Sequence, residues 1–533
     1  MKTNSLIAGN TDHWSIEQLE IELQKRPEYK EYLYSRGFLI TTDKSVDLNK
    51  FPFFNSWREI SYGKYRFLVH SKKNMYVYET DKKLYFLIGH AYNPFTMEWS
   101  ETDILKRMSQ GDFWKGTNEL TGIYCCGYVD EDKIEFTSDA AGQQLIYYGL
   151  IKDNIYITSH ASLVAGLCNL SQSQYIRKLS EYKYFRAFGL VLPGDLSPYD
   201  ELKRAQCNFY TSCSYDGCKV QRFWPNVKVC ETTDYEQTIQ DLGNIIHNNM
   251  LLISKKWPNR RAAISVTGGM DSKTTMACTN GLYGDFSYFS YISLHDEKID
   301  ADAAKKLCNQ LGLEHKTYEI SDKTDSGFKL FNEILYYNMG CIGNCNTNDV
   351  RKRMYFAGQN DFDIEVKSWV DEIGRARYFK RFGKKSFPKK VTPRILSTLY
   401  KPFLYNRIRL MQTDKVFKDY LDKYYSKEMF EMIPWWDLVY WEFEWNSAEG
   451  AFLTGEHIVV YDITIPFNNR RIIELMLSVP LEKRIGDEIQ RDIIHLMNKK
   501  IEETGIHVQD ISHTDKRAKI ERMYFEVNTR LPL

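Results

Sequence analysis

The chain has 533 residues, 43% of them apolar and 26% charged, with 71 basic against 70 acidic side chains. That length exceeds one ordinary core and predicts two or more domains of a globular protein. A formal net charge of +1 argues against a global electrostatic footprint for nucleic acid or an anionic membrane.

No uninterrupted apolar stretch reaches the roughly 18 residues of a membrane span. The opening segment, MKTNSLIAGNTDHW, lacks the apolar centre of a signal peptide. A cytoplasmic location away from membranes is therefore expected. The 11 cysteines are scattered and odd in number. Cys341 and Cys345 have neither a second pair nor a His partner at zinc spacing, so reduced, mostly buried thiols are expected. An aromatic content of 14% fits large packed interfaces, within the chain or between copies of it.

In chain order, residues 1–225 read as strand-rich. KYRFLVH, NMYVYET, KLYFLIG, GIYCCGYV, KIEFTS and NIYITS are short β-branched and aromatic runs. Turn signals at Asp81-Lys82-Lys83, Val129-Asp130-Glu131-Asp132 and Lys152-Asp153-Asn154 separate them, predicting hairpins of a mainly antiparallel β domain. The pattern changes after Arg222-Phe223-Trp224-Pro225. Ile239, Leu242, Ile245, Ile246, Met250 and Leu251 recur at helical spacing. RAAISVTGGMDSKTTMAC then reads as strand, Gly-rich turn and helix. FSYFSYISL, DADAAKKLCNQLG and HKTYEI add strand, helix and strand, which predicts a parallel sheet with crossover helices over residues 232–533. From about Ser326 onward the chain reads as mostly helical.

SVTGGMDSKT, Ser265 to Thr274, is the most informative segment. Gly268 and Gly269 let backbone N–H groups approach an anion, the following helix start adds oriented donors, and Ser272 adds a hydroxyl. Asp271 suits a Mg²⁺ ion bridging phosphate oxygens. The candidate nucleotide contacts are Ser265, Thr267, Gly268, Gly269, Met270 and Ser272. The loop is not of the G-x-x-x-x-G-K-[ST] type.

This loop resembles the S-G-G-x-D-S loop of the ATP pyrophosphatase superfamily. Within that group the chain resembles the asparagine-synthetase family, which includes β-lactam synthetases and lasso-peptide cyclases. Leu294 to His315 and Ile465 to Pro480 resemble further family segments. The resemblance implies an adenine nucleotide α-hydrolase-like α/β domain, ATP and Mg²⁺ as cofactors, and Asp371 of Asp371-Glu372-Ile373-Gly374 as second metal ligand and catalytic residue beside Asp271. It also implies a catalytic lysine near the end, for which Lys516 is chosen over Lys519. Lys367 and Trp369 replace family glycines, bulk that would crowd the nucleotide, and Ser368 stands at the substrate-contacting position. The basic run of Arg375, Arg377, Lys380, Arg381, Lys384, Lys385, Lys389 and Lys390 reads first as a solvated face, next as a contact for an anionic substrate.

Thr121 to Leu167, with Asp139, Gly142, Tyr147 and Tyr148, resembles the back half of a class II glutamine amidotransferase domain, an α+β fold. Pro193-Gly194 and Arg222-Phe223-Trp224 resemble the passage between the two family domains. A working glutaminase of that class needs a cysteine as first residue. Residue 2 is Lys2 and the first cysteine is Cys125, so loss of glutaminase activity is expected. The resemblance implies a synthetase that adenylates a small-molecule or peptide carboxylate and passes it to an amine. The alternatives are a nucleotide-binding pseudoenzyme, or ammonia-dependent modification of a sugar or nucleobase with a partner amidotransferase.

Overall fold

The computed structural model describes residues 13–180, 192–257, 261–342, 347–384, 387–400, 407–455, 457–506 and 516–530. Lys2, Cys345, Lys385 and the side chain of Lys516 lie outside the described residues.

Twelve strands fill the first part: β1 (Phe38–Thr41), β2 (Trp57–Tyr62), β3 (Tyr65–His70), β4 (Met75–Glu79), β5 (Leu84–Tyr92), β6 (Thr121–Val129), β7 (Ile134–Ser138), β8 (Tyr147–Ile151), β9 (Asn154–Thr158), β10 (Lys203–Arg204), β11 (Phe209–Ser214) and β12 (Gly217–Arg222). They form two six-stranded sheets, ordered β10-β8-β9-β1-β3-β2 and β12-β11-β7-β6-β5-β4, with antiparallel neighbours throughout. The turn chemistry is local. Asp130 accepts from the Asp132 and Lys133 amides at 3.0 and 2.9 Å. Lys152 and Asp153 take φ of 48° and 64°, the backbone of a two-residue hairpin turn.

Across the β11–β12 hairpin Cys213 lies directly opposite Cys218, and the two form a disulfide with Cα atoms 4.2 Å apart. This corrects the expectation of reduced thiols. The Ser214-to-Gly217 turn places the two side chains as cross-strand neighbours, the geometry a bridge needs. Cys125, Cys126, Cys207, Cys278 and Cys308 are free and buried, as expected. No described helix is long and apolar enough to cross a membrane.

Asp234 caps the helix Tyr235–Lys256 by accepting from the Gln237 amide at 3.0 Å. Its buried face includes Ile239, Leu242, Ile246 and Met250. It leads into five strands: β13 (Ala262–Ser265), β14 (Phe286–Ile292), β15 (His315–Glu319), β16 (Ile364–Val366) and β17 (Asp462–Thr464). Their order is β15-β14-β13-β16-β17, and every pairing is parallel. The first three strands were legible as apolar runs. β16 and β17, with three residues each, complete the sheet from within helical sequence.

One hydrophobic cluster joins the two parts, packing Ile123, Ala140, Phe209 and Trp224 with Leu242, Ala263, Ile465 and Phe467. Polar contacts fix the junction. The Asp139 carboxylate accepts from the Gln143 and Gln144 amides at 2.9 and 2.7 Å and from Asn468 at 2.9 Å. Arg222 grips Glu442 with two bonds of 2.5 and 2.9 Å. Arg470 is fully buried and donates to Asn208 at 2.8 Å. The Pro466-Phe467-Asn468-Asn469-Arg470 segment thus serves as the peg that locks the parallel sheet onto the antiparallel ones.

Candidate functional site

β13 sits at the centre of the parallel sheet. From it the chain winds outward one way to β14 and β15, and the other way to β16 and β17. Right-handed crossovers then send the connections after β13 and after β16 to opposite faces, opening a crevice at the carboxyl ends of these two strands. The Thr267–Ser272 loop follows β13, and Asp371 follows β16. Topology alone therefore brings the two segments together.

The loop is internally stapled. The buried Ser272 hydroxyl donates to the Thr267 carbonyl at 3.1 Å and accepts from the Thr267 amide at 3.1 Å. The Gly269 amide donates to Thr267 Oγ1 at 3.1 Å, and the Gly268 amide to Asp300 Oδ1 at 3.2 Å. A carboxylate of this chain thus occupies one of the loop's anion-facing donors. Gly269 caps the helix Met270–Cys278, which has no side-chain cap, so its first-turn amides point out of the helix end. A Cβ on Gly269 would meet only Thr267 Oγ1, at 3.1 Å, which leaves the backbone open to close approach.

The Asp271 carboxyl lies within the field of the Asp371 carboxylate. Burial and the charge of Asp371 push Asp271 well above the usual carboxylate range, against the pull of Arg375. Burial also raises Asp371, opposed by Arg375 and by a 2.9 Å bond from Gln490 Nε2 to Oδ1. Neighbouring buried carboxyls disfavour each other's ionisation, a strain that a cation between them relieves. Asp371 is 1% exposed, and its Oδ2 has no hydrogen-bond partner. Arg375 Nη1 donates to Asp271 Oδ1 at 2.5 Å, while Nε and Nη2 reach Asp487 at 2.8 and 3.3 Å. Lys380 also pairs with Asp487. The turn Asp371–Arg375 is flanked by Val370 at φ 75° and Ala376 at φ 50°. A β-branched residue in the left-handed region is a strained conformation, held here by the surrounding packing.

Among the described residues no group of three or more His, Cys, Asp or Glu side chains could hold a metal. Asp271 and Asp371 nonetheless fit a Mg²⁺ ion. The orphaned Oδ2 and the facing carboxyls are relieved by a divalent cation, and Mg²⁺ ordinarily takes one or two carboxylates with phosphate and water at its remaining positions.

The other sequence-marked residues divide. Ser265 lies beside the buried Glu365, and Ser368 meets Thr275 at 2.7 Å. Lys367 bonds Glu365 at 3.3 Å and lies over the Trp369 ring. Trp369 itself packs on His457 and Trp445. The bulk that replaces the two glycines is therefore engaged with neighbouring core side chains. Lys516 begins the helix Lys516–Arg530, and Lys519 is exposed. In the basic run, Arg375 and Lys380 join the carboxylate network, while Lys389 and Lys390 are exposed as expected. Glu372, next to Asp371 in the chain, lies near Glu444 and Glu449. Burial and these neighbours raise Glu449 to about 7.

A cavity of about 390 Å³ adjoins the loop helix, lined by Met270, Lys273, Asp487, Arg491 and Ile506 among others. A hollow of about 650 Å³ lies at the far, amino-terminal side of the sheet, near Phe286 and Gly312. Asp300 falls within the Leu294–His315 segment marked by the sequence, though the residue itself was not singled out. Sequence reasoning missed Asp487 and Gln490, which reach the site across 112 and 119 residues with no local pattern to mark them.

No family model and no curated protein matches the chain. Among solved structures, it is similar to a glutamine phosphoribosylpyrophosphate amidotransferase from B. subtilis complexed with ADP and GMP, at 9% identity, TM-score 0.23, over 67% of this chain and 74% of that one. It is also similar to an allosteric regulatory enzyme of purine biosynthesis, at 9% identity, TM-score 0.24, over 66% and 73%. A third is a glutamine-dependent NAD⁺ synthetase from Acinetobacter baumannii in complex with ADP, at 14% identity, TM-score 0.18, over 35% and 39%. Likenesses this loose establish neither fold nor function.

Proposed function

We propose that this protein binds ATP with Mg²⁺ at the crevice between β13 and β16, adenylates a substrate carboxylate, and transfers the acyl group to an amine. The observation that carries this reading is the meeting of Asp271, at the start of a helix behind a Gly-Gly turn, with Asp371 across the carboxyl ends of adjacent parallel strands. In this mechanism the loop amides and the helix start hold phosphate oxygens. Mg²⁺ bound by Asp271 and Asp371 would offset charge on the leaving pyrophosphate. A carboxylate oxygen attacks the α-phosphorus, pyrophosphate departs, and the amine then displaces AMP. The protein contributes orientation and charge stabilisation. Nitrogen released from glutamine within this chain has no support among the described thiols of the β part. Cys125, Cys126 and Cys207 are buried, and desolvation raises each of them, the opposite of an activated nucleophile.

A second reading, nucleotide binding without turnover, draws on Asp300 and Arg375, which already satisfy the loop amide and the Asp271 carboxylate. The test is AMP and pyrophosphate release from ATP–Mg²⁺ over a panel of carboxylates, comparing wild type with Asp271→Ala. Substrate-dependent AMP that vanishes in the variant supports the synthetase. Tight ATP binding without AMP across the panel favours the second reading.

A further inference from the structure

Arg375 occupies the position of a cation at the carboxylate pair. Its Nη1 donates to Asp271 Oδ1 at 2.5 Å. Its Nε and Nη2 are anchored on Asp487, which also lines the cavity beside Met270. The same short turn, Asp371–Arg375, carries both the acceptor carboxylate and the guanidinium. One backbone segment therefore presents a negative and a positive group to the loop.

A divalent cation and a guanidinium repel each other at one carboxylate, so a metal held by Asp271 would weaken the hold of Nη1 on it. Three of the five guanidinium donors are in use, and two remain for a new acceptor. Asp487 keeps the head group tethered as it turns. The acceptor that arrives with the metal is the polyphosphate.

Resting on the ATP reading above, we propose that Arg375 exchanges partners. In the nucleotide-free protein it holds Asp271 in place of the divalent cation. When the metal–nucleotide complex binds, it swings on Asp487 to the β- and γ-phosphate oxygens, where it neutralises the leaving pyrophosphate. Planar, forked donors suit that role better than a lysine ammonium.

The exchange requires that removing Arg375 move two affinities in opposite directions. Mn²⁺ binding alone is measured by the electron paramagnetic resonance of the free ion. Binding of the Mn²⁺ complex of a non-hydrolysable α,β-methylene analogue of ATP is measured by calorimetry. Arg375→Ala is expected to bind Mn²⁺ alone about 10-fold more tightly, and the nucleotide complex about 10-fold more weakly. Arg375→Lys, a less disruptive change, should keep Mn²⁺ affinity near wild type and weaken the nucleotide complex. Thermal melts confirm that both variants are folded. Affinities that move together, or that do not move, overturn the exchange while leaving the ATP reading intact. A wild-type protein that binds neither the analogue nor ATP overturns both, and the wild-type arm shows it independently of any variant.

Discussion

Replacing Arg470 with alanine should loosen the junction between the antiparallel and parallel sheets. The side chain is fully buried, and its best bond is the 2.8 Å contact to Asn208. Contacts of 3.3 to 3.4 Å to Thr117, Ser138 and Asp139 add less. The guanidinium also lies over the Phe223 ring at 4.9 Å and offsets the buried Asp139 charge. Losing a charge-assisted buried bond costs about 1.5–3 kcal/mol, and the cavity left by truncation adds roughly 1–2 kcal/mol. The expected loss is therefore about 2.5–5 kcal/mol, lowering the melting temperature of a chain this long by roughly 2–5 °C. Arg470→Met, which keeps the apolar stem, should lose about 2–3 kcal/mol. Thermal unfolding followed by tryptophan fluorescence measures both. A loss below about 1 kcal/mol for the alanine variant would refute the account of Arg470 as the interface peg.

Three further outcomes are expected. Gly142 has φ 67°, and a Cβ there would stand 1.7 Å from Asn446 Oδ1, so Gly142→Ala should cost about 2–4 kcal/mol in the same melts; an unchanged melting temperature would contradict the close approach. Glu449 is raised from 4.5 to about 7 by burial and by Glu372 and Glu444, with Lys367 and Arg377 opposing. A carboxyl raised in the folded state contributes its stability below the unfolded value and loses it as pH climbs through the folded one. Between about pH 5 and about pH 8 wild type should therefore lose on the order of 1–3 kcal/mol that Glu449→Gln retains; parallel pH profiles for the two proteins would show that Glu449 titrates normally. Alkylation of the denatured, unreduced protein should label at most nine of the 11 cysteines, and eleven labels would remove the Cys213–Cys218 bridge.

The central features were legible because their signals are local. An apolar strand, two glycines and an acidic helix start lie within a dozen residues, and the hairpins of the β part announce themselves through Asp-rich turns. β16 and β17 were not legible, since three residues cannot display a period and both sit within helical sequence. The partners of the carboxylate pair were hidden by distance. Arg375 finds Asp271 104 residues away and Asp487 112 residues away, so a run of basic residues read as a solvated face. The bridge between Cys213 and Cys218 did leave a trace. Asp216-Gly217 is a turn signal that places the two cysteines opposite each other, and compositional reasoning about the whole set passed over it. Asn468 and Arg470 were noticed only as part of a C-terminal segment, because their buried partners belong to the other sheet system.

Adenylation is tested most directly by the return of radiolabelled pyrophosphate into ATP in the presence of Mg²⁺ and candidate carboxylates, which reports adenylate formation without needing the amine. Exchange that depends on a particular carboxylate and disappears in Asp271→Ala is the predicted result. ATP that binds at the crevice but never exchanges label with any carboxylate would contradict an adenylating enzyme, and failure to bind ATP would contradict the site itself.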